Sequence, residues 1–277
     1  MDRADLKTIK LEVEDGIAWV YFNRPEKKNA MSPELHEEMD ELLADLETDE
    51  DVRVLVLTGV GNSWCAGQDI QRFFREGVDD PRRAKRLREV SERWRSLRLA
   101  NYDKPTIAMV NGYCFGGAFT QLTSCDFAIA AEDAVFGLSE VNWGMIPGGS
   151  VAKVLVDALS FRDALYYAAT GETFDGRKAE QIRLVNKAVP ADRLREETVA
   201  LAKVLMEKNP ATLTAIKHCM RRVRHMDYFE SFDYLAAKLA EMKQADGGQG
   251  RDQAMKQFLD DKTYKPGLAA YRPEEKK

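Results

Sequence analysis

The sequence is poor in the residues that hold metals and disulfides. Its 4 cysteines (Cys65, Cys114, Cys125, Cys219) are widely spaced and form no Cys-x-x-Cys. Neither a zinc ribbon nor a disulfide framework is expected, and reduced thiols in a cytoplasm are. The 3 histidines (His36, His218, His225) form no His-x-x-x-His or His-Glu-x-x-His, so no protein-held metal is expected. No apolar run reaches the ~18 residues of a membrane span. The opening MDRADLKTIKLEVEDG has no apolar stretch of the kind a secretory leader needs, and it is too acidic for a transit peptide. A basic excess is missing too. Lys and Arg number 41 against 46 Asp and Glu, for a net charge of −5, so nucleic acid is not an expected partner. There is no phosphate-binding Gly-x-x-x-x-Gly-Lys loop and no Gly-x-Ser-x-Gly elbow. Gly59-Val60-Gly61 follows an apolar run, but Trp64 stands where a dinucleotide fingerprint needs its third glycine.

What is present is globular. Of 277 residues, 44% are hydrophobic and 31% charged, enough for a sizeable core. Residues 9–22 read as a hairpin that turns at Asp15-Gly16. Ser32-Pro33 reads as an N-cap followed by a proline suited to the first helical position. Leu35, Met39, Leu42, Leu43 and Leu46 then make one apolar helical face. Residues 52–58, 106–110 and 127–131 read as strands, the second closed by Asn111-Gly112. Residues 80–100 read as one strongly basic helix, and Ser160 with Asp163 as another helix start. The spans 191–208, 210–225 and 228–245 read as three helices, and the last six residues as frayed. The pattern is α/β with a helical C-terminal part, split near 195–200 into 1–195 and 196–277 without a flexible linker.

Three stretches could carry chemistry. Ser63 to Ile70 puts small residues after a buried strand, so a backbone can approach a ligand and Gln68 can offer its N–H. Asn111 to Ala118 ends a strand, turns at Gly116-Gly117 and starts a helix, so N–H groups converge with the positive end of the helix dipole. Two such donors make an oxyanion hole. Phe136 to Gly144 sets a single carboxylate, Glu140, among apolar neighbours, where burial raises a pKa into the range of a general acid or base. Each stretch alone is equally an ordinary turn or half of an ion pair. The ordered combination is the signal.

That combination resembles the crotonase (enoyl-CoA hydratase/isomerase) superfamily. The resemblance runs through NRPEKKNAMS (23–32), CAGQDI (65–70), NGYCFGGAF (111–119), the segment 125–149 and the segment 170–190. FGLSEVNWG, residues 104–112 and QAMKQFLDDKTYKPGLAAY (253–271) resemble its hydroxycinnamoyl-CoA hydratase-lyase branch. The resemblance implies an α/β spiral of ββα units with a C-terminal helical trimerisation region. Residues 1–195 would form the spiral with the thioester site, and 196–277 would pack on it and on a neighbouring subunit. It implies an acyl-coenzyme A thioester as substrate, no permanently bound cofactor, and a homotrimer or dimer of trimers. The N–H groups of Gln68 and Gly117 would form the oxyanion hole, and Glu140 would be the acid/base. Lys27, Ala66, Gly67, Asp69 and Ile70 would hold coenzyme A.

Simple hydratases of the superfamily carry a second glutamate where this chain has Thr120; the hydratase-lyases have serine there. The implied reaction is hydration followed by retro-aldol cleavage to an aromatic aldehyde and acetyl-CoA. The chain departs from that branch at two tyrosine positions, which appear as Phe73 and Ala236. Tyr234, Tyr228 and Phe74 lie near them in sequence, and Trp143 reads either as core packing or as a wall against the aryl ring. A plain enoyl-CoA hydratase or isomerase is the alternative within enzymes. A silent or RNA-binding member using the basic 81–98 stretch is the alternative outside them. That stretch reads as a solvated face or as a rim guiding the coenzyme A phosphates. Cys65 and Cys114 have no histidine in their motifs and are not expected to act as nucleophiles. His218 and His225 read as surface positions.

Overall fold

The structure is a computed structural model that describes residues 6–75 and 80–263. The last six residues, expected to fray, and residues 264–271 of the matching C-terminal stretch lie outside the described residues.

The described strands are, in chain order, β1 Ile9–Glu14, β2 Ile17–Phe22, β3 Val54–Gly59, β4 Ser63–Cys65, β5 Thr106–Val110, β6 Tyr113–Phe115, β7 Phe127–Ala131, β8 Val135–Gly137, β9 Phe174–Asp175 and β10 Lys187–Val189. β1 and β2 form the expected hairpin, with Asp15 at φ 50° and Gly16 at φ 77°. Both turn residues are left-handed, which matches the twist of the flanking strands. The helices are α1 Pro33–Thr48, α2 Pro81–Glu92, α3 Ala118–Ser124, α4 Val151–Ala158, α5 Phe161–Thr170, α6 Gly176–Gln181, α7 Leu194–Met206, α8 Pro210–Val223, α9 Tyr228–Ala245 and α10 Gln249–Leu259. Ser32 caps α1 by accepting from the Leu35 N–H, a contribution of about 1 kcal/mol. Leu35, Met39, Leu42, Leu43 and Leu46 are buried along its inner face.

Two compact units result, one of residues 1–102 with 106–200, the other of 103–105 with 201–277. The first holds both sheets. One has six strands in the order β1-β2-β3-β5-β7-β10, the other four in the order β4-β6-β8-β9. β3, β5, β7 and β10 run parallel in the first sheet, and β4, β6 and β8 run parallel in the second. The chain therefore repeats one path. A strand enters the large sheet, a short strand enters the small sheet, and helical chain follows. β3-β4, β5-β6 and β7-β8 are three successive turns of this ββα spiral. Apolar, β-branched sequence dictates it: β3 and β5 are buried along their whole length, as a central parallel sheet requires. The second unit is helical, with α8 and α9 each begun by a polar cap, Asn209 and Asp227.

One expectation is corrected here. Residues 80–100 are not one continuous solvated helix. α2 ends at Glu92, and a wider π-helical turn, Arg93–Arg98, follows. Arg95, on this turn, is 4% exposed. Arg93 pairs with Asp40 and Arg98 with Glu47, so three of the eight basic residues are spent on folding.

Candidate active site

The small sheet assembles the site. Its strands β4, β6 and β8 are parallel neighbours, with Cys65 opposite Cys114 and Phe115 opposite Gly137. Their C-terminal ends therefore lie side by side. The three stretches that follow them, 66–70, 116–118 and 138–140, are brought together by register alone.

Backbone geometry aims two N–H groups. Gly67 C=O accepts from Met31 N–H at 2.8 Å, and Met31 C=O accepts from Asp69 N–H at 3.0 Å. In a trans peptide the C=O and the following N–H point opposite ways, so the Gln68 N–H faces away from Met31. On that other side lies the Phe115–Gly117 turn. A Cβ on Gly67 (φ +86°) would sit 2.7 Å from Phe115 O and 3.3 Å from Gly117 N. Only glycine permits that approach. Gly116 C=O accepts from Phe119 N–H at 3.1 Å, which likewise turns the Gly117 N–H out of the helix. Neither N–H donates to an acceptor among the described residues.

Glu140 opens a short 3₁₀ turn, Glu140–Trp143, immediately after β8. A Cβ on Gly116 (φ +50°) would lie 3.1 Å from Glu140 Oε1, so the carboxyl group rests against the glycine turn. Its Oε2 is buried with no hydrogen-bond partner among the described residues. Burial pushes the Glu140 pKa up from 4.5, opposed by a backbone hydrogen bond. Thr120 lies one turn into α3 from Gly117, is fully buried, and has its Oγ1 3.2 Å from Ser150 Oγ.

The segment 23–31 runs alongside residues 66–69. Ala66 N–H donates to Lys28 C=O at 3.0 Å, and Arg24 pairs with Asp69 at 2.9 Å. Lys27 and Ile70 are exposed, and the Lys28 ammonium lies 3.7 Å from the centre of the Tyr113 ring. Phe73 packs edge-on against His36 with centroids 5.6 Å apart. Trp143 is 67% exposed, which removes the core-packing reading. Tyr234 and Ala236 sit on α9 in the second unit, Tyr234 half-buried and Ala236 exposed.

Cys65 and Cys114 are buried, and desolvation pushes the Cys65 thiol up to about 12 and that of Cys114 up as well. Both stay protonated near neutral pH, as a non-nucleophile would. No group of three or more metal-ligating side chains occurs among the described residues, and no described helix is long and apolar enough to cross a membrane.

Two supports behind the turns escape the sequence reading. His36 Nε2 lies 2.8 Å from Gln68 Oε1, and Gln68 Nε2 donates to Ser91 Oγ at 3.3 Å. Burial pushes the His36 pKa down to about 3, helped by the Arg95 charge, so the ring is neutral. Arg95 Nη1 donates to Gly117 C=O at 3.0 Å and its Nε to Ser91 C=O at 3.1 Å. The signal for His36 was present: it shares the buried face of α1 with Met39, Leu43 and Leu46 at helical spacing.

Comparison with known proteins bears on this geometry. Residues 12–266 match the family model described as enoyl-CoA hydratase/isomerase. The chain is 52% identical over 269 residues to a hydroxycinnamoyl-CoA hydratase-lyase of Pseudomonas fluorescens, covering 96% of this chain and 97% of that one. An enoyl-CoA hydratase structure from Geobacillus kaustophilus superposes with a TM-score of 0.83 at 30% identity, covering 96% of this chain and 99% of that one. One from Polaromonas sp. gives 0.83 at 26% identity, covering 91% and 97%. The spiral and the matched sequence agree: this chain belongs to the enoyl-CoA hydratase/isomerase, or crotonase, family of enzymes.

Proposed function

We propose that the protein is a hydratase-lyase that converts a hydroxycinnamoyl-CoA, such as feruloyl-CoA or 4-coumaroyl-CoA, into an aromatic aldehyde and acetyl-CoA. The observation that carries the reading is the half-buried Glu140 carboxyl, whose Oε2 is buried without a partner and whose Oε1 rests against Gly116. Similarity over nearly the whole chain to a hydroxycinnamoyl-CoA hydratase-lyase supports the substrate class.

In this reading the thioester oxygen accepts from the N–H groups of Gln68 and Gly117. Losing one such donor typically costs about 2.7–4 kcal/mol of barrier. Glu140 takes a proton from water as the water oxygen attacks Cβ, and returns a proton to Cα. The adduct is a β-hydroxyacyl-CoA. Glu140 then removes the β-hydroxyl proton, the Cα–Cβ bond breaks, and its electron pair passes into the thioester enolate held by the same two N–H groups. Protonation at Cα releases acetyl-CoA beside the aldehyde, which is vanillin when the substrate is feruloyl-CoA. Such a step belongs to phenylpropanoid degradation. Coenzyme A enters as part of the substrate, with no permanently bound cofactor. In this reading Lys27, Ala66, Gly67, Asp69 and Ile70 hold coenzyme A, and the resemblance assigns Phe73, Trp143, Tyr234 and Ala236 to the aryl side.

The reading carries with it a cytoplasmic location and a homotrimer or dimer of trimers. Tyr228, Phe229, Phe232, Leu235 and Leu239 form an exposed apolar stripe along α9, with Phe229 79% exposed, which suits subunit contact. It also keeps residues 1–195 as the catalytic spiral and 196–277 as the packing region.

A plain enoyl-CoA hydratase is the second reading. Phe73 favours it, because its ring lies against His36 and offers no hydroxyl to a phenol.

Product analysis separates the two. The pure protein is incubated with feruloyl-, 4-coumaroyl-, cinnamoyl- and crotonyl-CoA, and products are followed by liquid chromatography with mass detection. Equal amounts of aldehyde and acetyl-CoA are expected. A thioester one water heavier, with no aldehyde, would leave only the hydratase.

A further inference from the structure

The two proposed oxyanion donors come from different turns of the spiral, and the strand pairing between them stops short. β4 and β6 pair at Ser63–Tyr113 and at Cys65–Cys114. Beyond that point, among the described residues, no backbone hydrogen bond joins residues 66–70 to 116–118. Gly117 has no side chain to anchor itself. The spacing of the two N–H groups therefore needs another support.

That support comes from the end of α2 and the wide turn after it. Gln68 Nε2 donates to Ser91 Oγ at 3.3 Å. Arg95 Nε donates to the Ser91 carbonyl at 3.1 Å, and Arg95 Nη1 donates to the Gly117 carbonyl at 3.0 Å. Ser91 is thus tied to one donor residue through its hydroxyl and to the other through its carbonyl and Arg95. The parts are in close contact: a Cβ built on Gly117 would lie 3.4 Å from Gln68 Cγ and 3.5 Å from Arg95 Nη1. The Gly117 carbonyl also accepts from Thr120 N–H at 3.3 Å, but that bond stays within the first turn of α3.

Arg95 is 4% exposed, and a buried cation is costly unless it is paired and hydrogen-bonded. An apolar side chain of similar volume would fill the space without that cost. Its carboxylate partner, Glu92 at 3.2 Å, has a side chain 38% exposed, so the pair is open to water on one side. What the guanidinium adds is a rigid planar fork, able to hold two carbonyls in fixed directions. Hydrogen bonds from a charged donor are also about twice as strong as neutral ones.

We infer that Arg95 is a positioning residue, a clamp that keeps the Gly117 N–H in register with the Gln68 N–H by gripping the Gly117 and Ser91 carbonyls together. It acts through Gly117 and not on the thioester. With methionine at 95 the Gly117 carbonyl keeps only the Thr120 N–H. The first turn of α3 is then free to rock against α2, and the thioester oxygen meets one well-placed donor instead of two.

The inference rests on reading Gln68 and Gly117 as the oxyanion donors, and its test separates the two. Infrared spectroscopy reads the donors without turnover. Cinnamoyl-CoA carrying heavy carbon at its thioester carbonyl is bound at saturation to Glu140→Gln, and to Glu140→Gln combined with Arg95→Met. Hydrogen bonds to the carbonyl oxygen lower its stretching frequency. The downshift in Glu140→Gln is expected to shrink by at least half when Arg95→Met is added; an equal downshift overturns the inference. No downshift in Glu140→Gln itself overturns the oxyanion reading, and the inference falls with it. Kinetics with Glu140 intact use both feruloyl-CoA and crotonyl-CoA. Arg95→Met is expected to lose at least tenfold in kcat on whichever is turned over, with KM and melting temperature near those of the parent, because the enolate needs the donors more than the substrate does. A loss confined to KM or to melting temperature overturns the inference. If Arg95→Met does not fold, a crystal structure of Glu140→Gln with cinnamoyl-CoA decides: Arg95 is expected on the Gly117 carbonyl with the thioester oxygen on both N–H groups, and an Arg95 turned away from Gly117 overturns the inference. A parent that hydrates crotonyl-CoA but cleaves no feruloyl-CoA overturns only the lyase reading and leaves the clamp standing.

Discussion

The indole Nε1–H of Trp94 donates to His36 Nδ1 at 2.9 Å. An indole can only donate, so Nδ1 is the bare nitrogen and the ring proton sits on Nε2. The 2.8 Å contact from Nε2 to Gln68 Oε1 is therefore a bond that His36 gives. A buried tryptophan thus fixes a histidine tautomer, and the tautomer fixes the side chain of a proposed oxyanion donor.

Trp94→Phe removes that donor and leaves His36 Nδ1 buried without one. The unsatisfied nitrogen costs about 1–3 kcal/mol, before any loss from packing. Urea unfolding at pH 7.5 measures it. A midpoint equal to the parent's would mean that the bond contributes nothing.

The same histidine makes folding sensitive to acid. The unfolded chain protonates His36 near 6.5, the folded one only near 3. Between these values the unfolded state binds the extra proton, so stability present above 6.5 falls as pH falls toward 3. The slope is about 1.4 kcal/mol per pH unit. Urea midpoints at pH 5, 6 and 7 should fall with acid in the parent. In His36→Gln this part of the slope should vanish.

Glu140→Gln should bind coenzyme A thioesters with parental affinity and lose turnover by about 10²–10⁴-fold. In the parent, kcat/KM should fall on the acid side at a pH above 4.5, because burial raises the Glu140 pKa. An acid limb at 4.5 or lower would place the base elsewhere.

Gly116→Ala puts a Cβ 3.1 Å from Glu140 Oε1 on a backbone at φ +50°. The left-handed conformation alone costs about 1–2 kcal/mol. Turnover should fall much further than that stability loss, since the carboxyl has to move. Comparing kcat with the melting temperature shows which dominates; equal losses would make the glycine merely structural.

Native thiol counting offers a check on the interior. Cys65, Cys114 and Cys125 are buried and Cys219 is half-exposed, although burial raises its pKa too. Cys219 should react first with a disulfide reagent at pH 8, and the other three only on unfolding. Fast labelling of Cys65 would contradict its thiol being pushed up to about 12.

The hairpin, the Ser32 cap, the buried strands and the three site stretches were legible because each has a local cause: a turn dipeptide, a capping oxygen, an apolar run, a glycine pair. The small sheet was not. Its strands span two or three residues each, too few to show alternation. The wide turn at Arg93–Arg98 was also hidden, because its residues count as ordinary helix formers and their charge reads as a wet surface. Arg95 is inside because Gly117, Ser91 and Glu92 supply its partners, and those meet only in three dimensions. Gln68 and Glu140 stand out in the sequence as candidates and Thr120 enters through the resemblance, whereas the groups packed behind Gln68 and Gly117 are not legible there.

The spiral also decides when the protein can begin to work. Its first turn ends at β4, its second at β6 and its third at β8, and the proposed reactive groups are brought side by side by pairing between turns. A growing chain that stops before residue 140 lacks the Glu140 carboxyl altogether. Such long-range pairing forms late, after loop entropy has been lost. Catalysis is then a signature of completed winding, and recovery of turnover after dilution from denaturant would lag the return of helical signal.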